Sequence, residues 1–340
     1  MSDSFSAVSA ANLAELTPQS SARQSSAPLP FDQPAVDLGL PPDRLGVLLI
    51  GHGTRSVVGQ QEFLDTVAQV AQRFAGSLVR PCFLELVEPS IDAAIDQLVE
   101  TGVTHVAVAP LLLFAAGHAK RDVPAAIESA RNRHPHVRFS VGHHLGCHPR
   151  LLELSASRFR DAQGVRSQSE SHASDAAADK AGAAPPTIAT SLADAEQGHK
   201  SSTQAWVLVG RGSLDPTAWA ETQRFLELRR TLTPVQEARV AYLAMAQPRL
   251  TETLAELGPL PYDTIVVQPH LLFAGDLLTQ VHREVVDAAV SFPRIEWRLA
   301  AHCGVSSNVA DAVADRIREA QREWGVSDCV QTSNRGGSMQ

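Results

Sequence analysis

The feature that most constrains the fold of this chain is an internal repeat with a constant offset. Three segments recur 159 residues further on: Gly51-His52-Gly53 as Gly210-Arg211-Gly212, "FLELVEPS" (83–90) as "YLAMAQPR" (242–249), and "APLLLFA" (109–115) as "QPHLLFA" (268–274). His144 aligns with His302 at an offset of 158, which indicates a single deletion before them. Order and spacing that repeat together predict two copies of one structural unit.

Within the first copy, short apolar runs alternate with segments of helical periodicity. "LGVLLI" (45–50) is typical of a buried strand, and the following segment places Phe63, Val67 and Val70 on one helical face. The same alternation continues through four strand–helix pairs and starts again in the second copy. It predicts an α/β fold of two tandem lobes, each a parallel four-stranded sheet flanked by helices.

Composition divides the chain further. The first residues and residues 161–204 are rich in small and polar residues without periodicity, which is typical of a disordered leader and a flexible linker. The predicted organisation is a leader (1–43), an active lobe (44–160), a linker (161–204), a degenerate lobe (205–325) and a disordered tail (326–340).

Bulk properties exclude several classes of protein. The 340 residues carry a formal net charge of −8, which is unfavourable for a non-specific nucleic-acid binder. The four cysteines are scattered without a C-x-x-C pair, so neither a zinc-thiolate site nor a disulfide framework is indicated. No apolar run reaches the length of a membrane span, and the first residues do not read as a signal peptide. We therefore expect no nucleic-acid or membrane partner and a cytoplasmic location.

Reactive side chains follow the predicted strands of the first lobe. His52 follows the first strand, Glu85 and Glu88 end the second, and His118 follows the third. Parallel sheets bind ligands at the carboxyl ends of their strands, so these side chains are expected to share one rim. Imidazole and carboxylate together suit iron, cobalt, nickel or zinc. Either Glu85 or Glu88 can supply the carboxylate.

The second copy serves as an internal comparison for this candidate site. Arg211 stands in place of His52, Ala244 in place of Glu85, and Asp276 or Leu277 in place of His118. The joint loss of all three indicates that they act as one site in the first lobe. It leaves the second lobe with a structural role or with an anion-binding role through Arg211.

These segments resemble a known family. "GHGTR", "FLELVEPSIDAAI" and "APLLLFAAGHAKRDVP" resemble the class II tetrapyrrole chelatases, the sirohydrochlorin cobaltochelatase and ferrochelatase family. The resemblance covers most of residues 45–155 and, more faintly, 205–320. The two-unit chain is similar to the long form of that family, in which two fused lobes face each other across a cleft. It implies one active centre in the chain, and the fusion of the lobes predicts a monomer.

The resemblance also implies substrates and roles. The substrates would be sirohydrochlorin and a divalent metal ion, Co²⁺ or Fe²⁺, with nickel left open and with no organic cofactor. His52 and His118 would bind the metal, one of them also accepting a pyrrole proton, and Glu85 would complete the charge or relay the second proton. An anionic tetrapyrrole calls for cations around the cleft. The candidates are Arg55, Lys120, Arg121, His143, Arg150 and, from the facing lobe, Arg211.

Two other functions are compatible with these residues. A non-catalytic carrier would bind the metal or the tetrapyrrole without accelerating insertion. A histidine-phosphatase-type enzyme would form a phosphoenzyme on His52, but that chemistry favours Arg-His-Gly, and here Gly51 precedes the histidine.

Overall fold

The computed structural model describes residues 45–114, 117, 119–164 and 203–335, with backbone alone for Ala119 and 323–335. The predicted leader (1–43), most of the predicted linker and His118 lie outside the described residues. Among the residues that are described, no helix is long and apolar enough to cross a membrane.

Each half of the chain alternates strands and helices as its sequence pattern predicts. The first half consists of β1 (Leu45–Gly51), α1 (Val57–Arg73), β2 (Leu78–Phe83), α2 (Ile91–Glu100), β3 (His105–Pro110), α3 (Ala119–Arg133), β4 (Arg138–Val141) and α4 (Pro149–Ala162). The second half consists of β5 (Gln204–Gly210), α5 (Pro216–Arg230), β6 (Glu237–Tyr242), α6 (Leu250–Leu257), β7 (Thr264–Pro269), α7 (Asp276–Ser291), β8 (Glu296–Leu299) and α8 (Ser307–Arg335).

The strands form two parallel four-stranded sheets with the same order, β2-β1-β3-β4 and β6-β5-β7-β8. The predicted fold class is therefore confirmed. In the first sheet β2 lies on one side of β1 and β3 on the other, and in the second sheet β6 and β7 flank β5 in the same way. The strand order therefore reverses between β1 and β3 and between β5 and β7. Open parallel sheets bind ligands at the carboxyl ends of such neighbouring strands. His52 and Arg211 lie directly after β1 and β5, at these two positions.

The first strand of each sheet is buried on both faces. Val47 and Leu49 belong to one core cluster, whereas Leu48 and Ile50 belong to another on the opposite face of the sheet. The cluster of Val47 and Leu49 continues into the second half of the chain, where it includes Trp206 and other residues of β5. One apolar core is thus shared by both lobes.

The last helix of each half packs on the sheet of the other half. Helix α8 contacts α1, β3 and β4 of the first lobe, and α4 contacts α5 and β7 of the second. An Arg316 guanidinium nitrogen donates to the carbonyl of Leu145 at 3.2 Å, and the Phe159 ring lies 6.0 Å from that of Trp206, edge to face. The repeats identified in the sequence are therefore interlocked by exchanged helices.

A buried arginine holds helix α4 in its exchanged position. Arg229 of α5 is fully buried and donates to both the hydroxyl and the carbonyl of Ser155 on α4, at 3.1 and 3.3 Å. Its guanidinium lies over the rings of Phe159 and Trp206, 5.4 and 5.0 Å from their centroids. Burial lowers the pKa of Arg229 to about 10, so the side chain still carries its charge at neutral pH.

Two predicted boundaries differ from the observed ones. The second strand, predicted to carry Glu85 at its end, already stops at Phe83, because a tight turn of residues 85–87 follows it. Helix α8 continues to Arg335, so residues 326–335 of the predicted tail are helical. No proline interrupts this segment and Gly325 alone does not end the helix, since a single glycine costs a helix only about 1 kcal/mol.

Candidate functional site

Both Gly-X-Gly segments form the same turn between a strand and a helix. Strand β1 ends at Gly51, and helix α1 begins after Ser56, whose hydroxyl accepts a hydrogen bond from the backbone of Gly59 at 3.2 Å. In the second half Asp215 caps α5 in the equivalent position. Serine and aspartate are favoured there because their oxygens satisfy otherwise unpaired helix N–H groups. The turn presents His52 in one lobe and Arg211 in the other.

The glycine after each of these residues is required by a close backbone contact. Gly53 and Gly212 have φ angles of +98° and +91°. A Cβ atom would lie 1.9 Å from the carbonyl oxygen of Glu85 at the first position, and 1.7 Å from that of Ala244 at the second. The space beside His52 is therefore filled by the protein's own backbone, so the glycine serves the turn and does not make room for a ligand.

The backbone after β2 brings Glu85 to His52. The amide of Glu85 donates to the carbonyl of His52 at 3.2 Å, and the amide of Val87 donates to the carbonyl of Glu85 at 2.9 Å. Leu86, at the centre of this three-residue turn, has a φ of +69°. The carboxylate of Glu85 then lies 3.4 Å from Nδ1 of His52.

His52 contacts both lobes. Arg211 donates to Nε2 of His52 at 2.9 Å. Because a guanidinium can only donate, Nε2 must accept, which places the ring proton on Nδ1, facing Glu85. His52 and Glu85 are 35% and 47% exposed, so the pair is open to solvent and to a ligand. In this structure Arg211 holds the Nε2 lone pair.

The two candidate carboxylates have different environments. The carboxylate of Glu88 accepts a hydrogen bond from the backbone of Ser90 at 2.7 Å, just before α2. That of Glu85 faces His52 instead. The geometry favours Glu85 as the acidic partner of His52, and its role in metal transfer stays a prediction.

The predicted trio of metal ligands is seen only in part. Within the part of the chain that the structure describes, no three His, Cys, Asp or Glu side chains form a group that could hold a metal ion. His52 and Glu85 come together, and His118 lies outside the described residues.

The predicted substrate-binding cations fall into two groups. Lys120 and Arg150 are engaged in ion pairs with the other half of the chain: Lys120 with Asp215 at 2.6 Å, and Arg150 with Asp315 of α8 at 3.1 Å. The hydrogen bond from Lys120, together with those from Thr217, lowers the pKa of Asp215 to about 2. The remaining candidates have exposed side chains: Arg55, Arg121, His143 and Arg211.

Two equivalent ion pairs join the lobes. His144 of the first half lies 3.0 Å from the carboxylate of Glu221, and His302 of the second lies 3.1 Å from that of Glu62. Glu62 and Glu221 are also related by the repeat offset of 159. His144 and His302 thus recur because each binds the other lobe. The two glutamates are not among the residues predicted for the site, although the same offset relates them.

The histidine of "QPHLLFA" belongs to the core. His270 is buried, with its ring 4.2 Å from that of Phe225 and 5.4 Å from that of Phe114. Burial lowers the pKa of His270 to about 3, so it stays neutral and is not accessible as a base.

Comparisons with known proteins agree with the two-lobe arrangement. The CbiX family model matches residues 46–162 and 205–320. A sirohydrochlorin ferrochelatase of Bacillus subtilis is 28% identical over 273 residues, covering 80% of this chain and 90% of that protein. A sirohydrochlorin cobaltochelatase of Priestia megaterium is 26% identical over 295 residues, covering 86% of each chain.

A solved structure shares the whole fold. The structure described as SirB from Bacillus subtilis with Fe³⁺ superimposes with a TM-score of 0.65 and 28% identity, covering 82% of this chain and 95% of that one. The resemblance read from the sequence is confirmed, because the family model matches both repeats in order. The chain belongs to the CbiX family.

Proposed function

We propose that this chain is a sirohydrochlorin chelatase, a lyase-class enzyme that inserts Co²⁺ or Fe²⁺ into sirohydrochlorin for cobalamin or siroheme biosynthesis. The observation that carries the proposal is the match, through both lobes, to relatives named sirohydrochlorin ferrochelatase and cobaltochelatase. The pairing of His52 with Glu85 supports it. This pair lies at the mouth between the lobes, the place where Arg211 of the second lobe contacts His52 of the first.

Insertion of a divalent metal breaks two pyrrole N–H bonds, releases two protons and forms bonds between the metal and the ring nitrogens. A neutral imidazole can bind a metal loosely and can also accept a proton near neutral pH. Glu85 faces the Nδ1–H of His52 and so orients the ring. It also makes Nε2 a better electron-pair donor to a metal ion. His118 is proposed as the second ligand and Glu85 as the acceptor or relay of the second proton.

Arg211 has two effects in this mechanism. Its hydrogen bond occupies Nε2 of His52, and its positive charge opposes a metal ion at the same place. A carboxylate of the tetrapyrrole would be a stronger partner for the guanidinium than a neutral imidazole is. Binding of the tetrapyrrole would therefore draw Arg211 away and free His52 for the metal. Arg55, Arg121 and His143, whose side chains are exposed, are proposed to bind other carboxylates of the ring, whereas Lys120 and Arg150 already pair with Asp215 and Asp315.

Arg211→Ala is expected to change the two affinities in opposite directions. Affinity for sirohydrochlorin should fall by about tenfold, because one charge-assisted contact is lost. Affinity for Co²⁺ in the absence of sirohydrochlorin should rise several-fold, because Nε2 of His52 no longer has a competing donor. Absorbance titration with sirohydrochlorin and calorimetric titration with Co²⁺ measure the two effects, and kcat should change less than KM.

Two variants control this experiment. Arg211→Lys keeps the charge and should retain most of the affinity for sirohydrochlorin. Combining Arg211→Ala with His52→Ala should abolish the gain in Co²⁺ affinity. An unchanged affinity for sirohydrochlorin in Arg211→Ala would reject the role of the facing lobe.

A side-by-side assay of Co²⁺ and Fe²⁺ insertion into sirohydrochlorin, followed by absorbance, tests the proposed reaction. A rate well above that of the metal and tetrapyrrole alone is expected. Tight binding of either substrate without acceleration would instead identify a carrier. The assay also compares the two metals, between which imidazole and carboxylate ligands do not discriminate.

The remaining proposals concern the state of the protein. We infer a monomer that works without an organic cofactor in the cytoplasm. The exchange of α4 and α8 supports the monomer, because one chain supplies both halves of the shared core. Gel filtration combined with light scattering should give a mass near the 36.4 kDa of the chain.

A further inference from the structure

Exposed apolar side chains gather around the mouth between the lobes. Ten large apolar residues are exposed in the described part of the chain, and six of them follow the carboxyl ends of β1, β2, β5 or β6. These six are Val57, Val58, Leu86, Leu214, Trp219 and Met245. Single exposed apolar residues are common, but their concentration at the carboxyl ends of the strands of both sheets marks a surface that a ligand covers.

Leu86 and Met245 stand out among these six by their backbone. They are the described non-glycine residues with positive φ, +69° and +55°. Each is the central residue of a three-residue turn, closed by the hydrogen bond from Val87 to Glu85 or from Ala246 to Ala244. Such turns are rare and strained, and neither a leucine nor a methionine is favoured in them. The two side chains are nonetheless 57% and 44% exposed, so burial in the protein's own core does not explain them.

The apolar side chains of Leu86 and Met245 recur in both lobes although the predicted metal ligands do not. In the second lobe Arg211 stands in place of His52, and Ala244 stands in place of Glu85. The next residue stays large, apolar and exposed on a left-handed backbone in both lobes, as Leu86 and Met245. What the two lobes share at this position is therefore an exposed apolar side chain on the same strained turn.

We propose that Leu86 and Met245 are specificity-determining residues that contact the flat apolar face of the tetrapyrrole from the two lobes, on either side of the His52–Arg211 contact. This inference rests on the proposed function. Glu85 and Ala244, directly before them, touch the backbone of His52 and Arg211, so both turns lie at the centre of the mouth. The macrocycle would rest on the two apolar side chains while its carboxylates meet Arg211 and its centre meets His52.

Leu86→Asn and Met245→Asn test the proposal, because asparagine tolerates positive φ and removes most of the apolar surface at similar volume. Each variant should bind metal-free sirohydrochlorin about tenfold more weakly by absorbance titration, and the double variant about a hundredfold more weakly. Co²⁺ affinity without sirohydrochlorin should stay unchanged, since His52 and Glu85 are intact. Leu86→Met and Met245→Leu should retain wild-type affinity.

Val290→Asn is the matched control, since Val290 is an exposed apolar residue near the end of helix α7 and should leave sirohydrochlorin binding unchanged. If an asparagine variant does not fold, the glycine variant at the same position accepts the turn and takes its place. Wild-type affinity in both asparagine variants, while the wild-type chain inserts metal, would overturn this inference and leave the proposed function standing. Weakened binding in both, when the wild-type chain binds sirohydrochlorin without inserting metal, would support the contact and overturn the proposed reaction. A wild-type chain that does not bind sirohydrochlorin would overturn both.

Discussion

His52→Ala is expected to lower the rate of metal insertion into sirohydrochlorin by at least about 100-fold, the effect usual for loss of a general base. The substitution removes the nitrogen that accepts from Arg211 and leaves Glu85 without its imidazole partner. His118→Ala should have a comparable effect if His118 is the second ligand. The measurement is the initial rate of absorbance change with saturating Co²⁺ or Fe²⁺.

His136→Ala is a suitable control for these two variants. His136 is an exposed histidine that follows helix α3, beyond the amino ends of the strands rather than at the rim that carries His52. Its loss should leave the rate within about twofold of wild type. Insertion activity that survives both His52→Ala and His118→Ala would show that the catalytic centre lies elsewhere.

Gly53→Ala should have the second-largest effect, although it changes no reactive group. The added Cβ would lie 1.9 Å from the carbonyl oxygen of Glu85, at a φ of +98° that alanine rarely adopts. Strain of this kind costs about 1–3 kcal/mol of folding free energy, and the backbone must shift to relieve the clash. A shift of about 1 Å between His52 and Glu85 is expected to lower kcat by about 100-fold. Thermal unfolding and steady-state kinetics measure the two effects.

Gly212→Ala offers a control matched in conformation. Its Cβ would lie 1.7 Å from the carbonyl oxygen of Ala244, so the loss of stability should be similar. The displaced residue is now Arg211, and KM for sirohydrochlorin should rise more than kcat falls. Equal losses of kcat in the two variants would show that either substitution displaces both turns, and not His52 or Arg211 separately.

The two lobes therefore share their local structure but carry different reactive side chains. Both contain the strand, the Gly-X-Gly turn, the capped helix and the three-residue turn with an apolar side chain at its centre. At the Gly-X-Gly turns the first lobe pairs His52 with the carboxylate of Glu85, whereas the second lobe carries Arg211 and Ala244 at the equivalent positions. The second lobe contributes a cation that contacts the histidine directly. An asymmetric site of this kind can bind an anionic ring from one side and deliver a metal from the other.

Much of the fold could be predicted because its determinants are local and occur twice. The apolar run of β1 and the periodic face of Phe63, Val67 and Val70 report burial directly, and both are confirmed. The rim position of His52 follows from the rule for parallel sheets. The end of β2 at Phe83 was harder to predict, because "FLEL" has the composition of a strand, and the turn of residues 85–87 is held by contacts with the distant Gly-X-Gly turn.

The amino-acid sequence alone predicts the two repeats, their parallel sheets, the rim that carries His52 and Glu85, and the family to which the chain belongs. These properties depend on periodicity and on near neighbours along the chain, which a repeat of 159 residues displays twice. The folded structure was needed to show that α4 and α8 are exchanged, that His144 and His302 join the lobes, and that Arg211 holds Nε2 of His52. Each of these contacts joins residues of different lobes. Their pairing is set by how the two sheets bury one common core, and no local pattern in the chain encodes it.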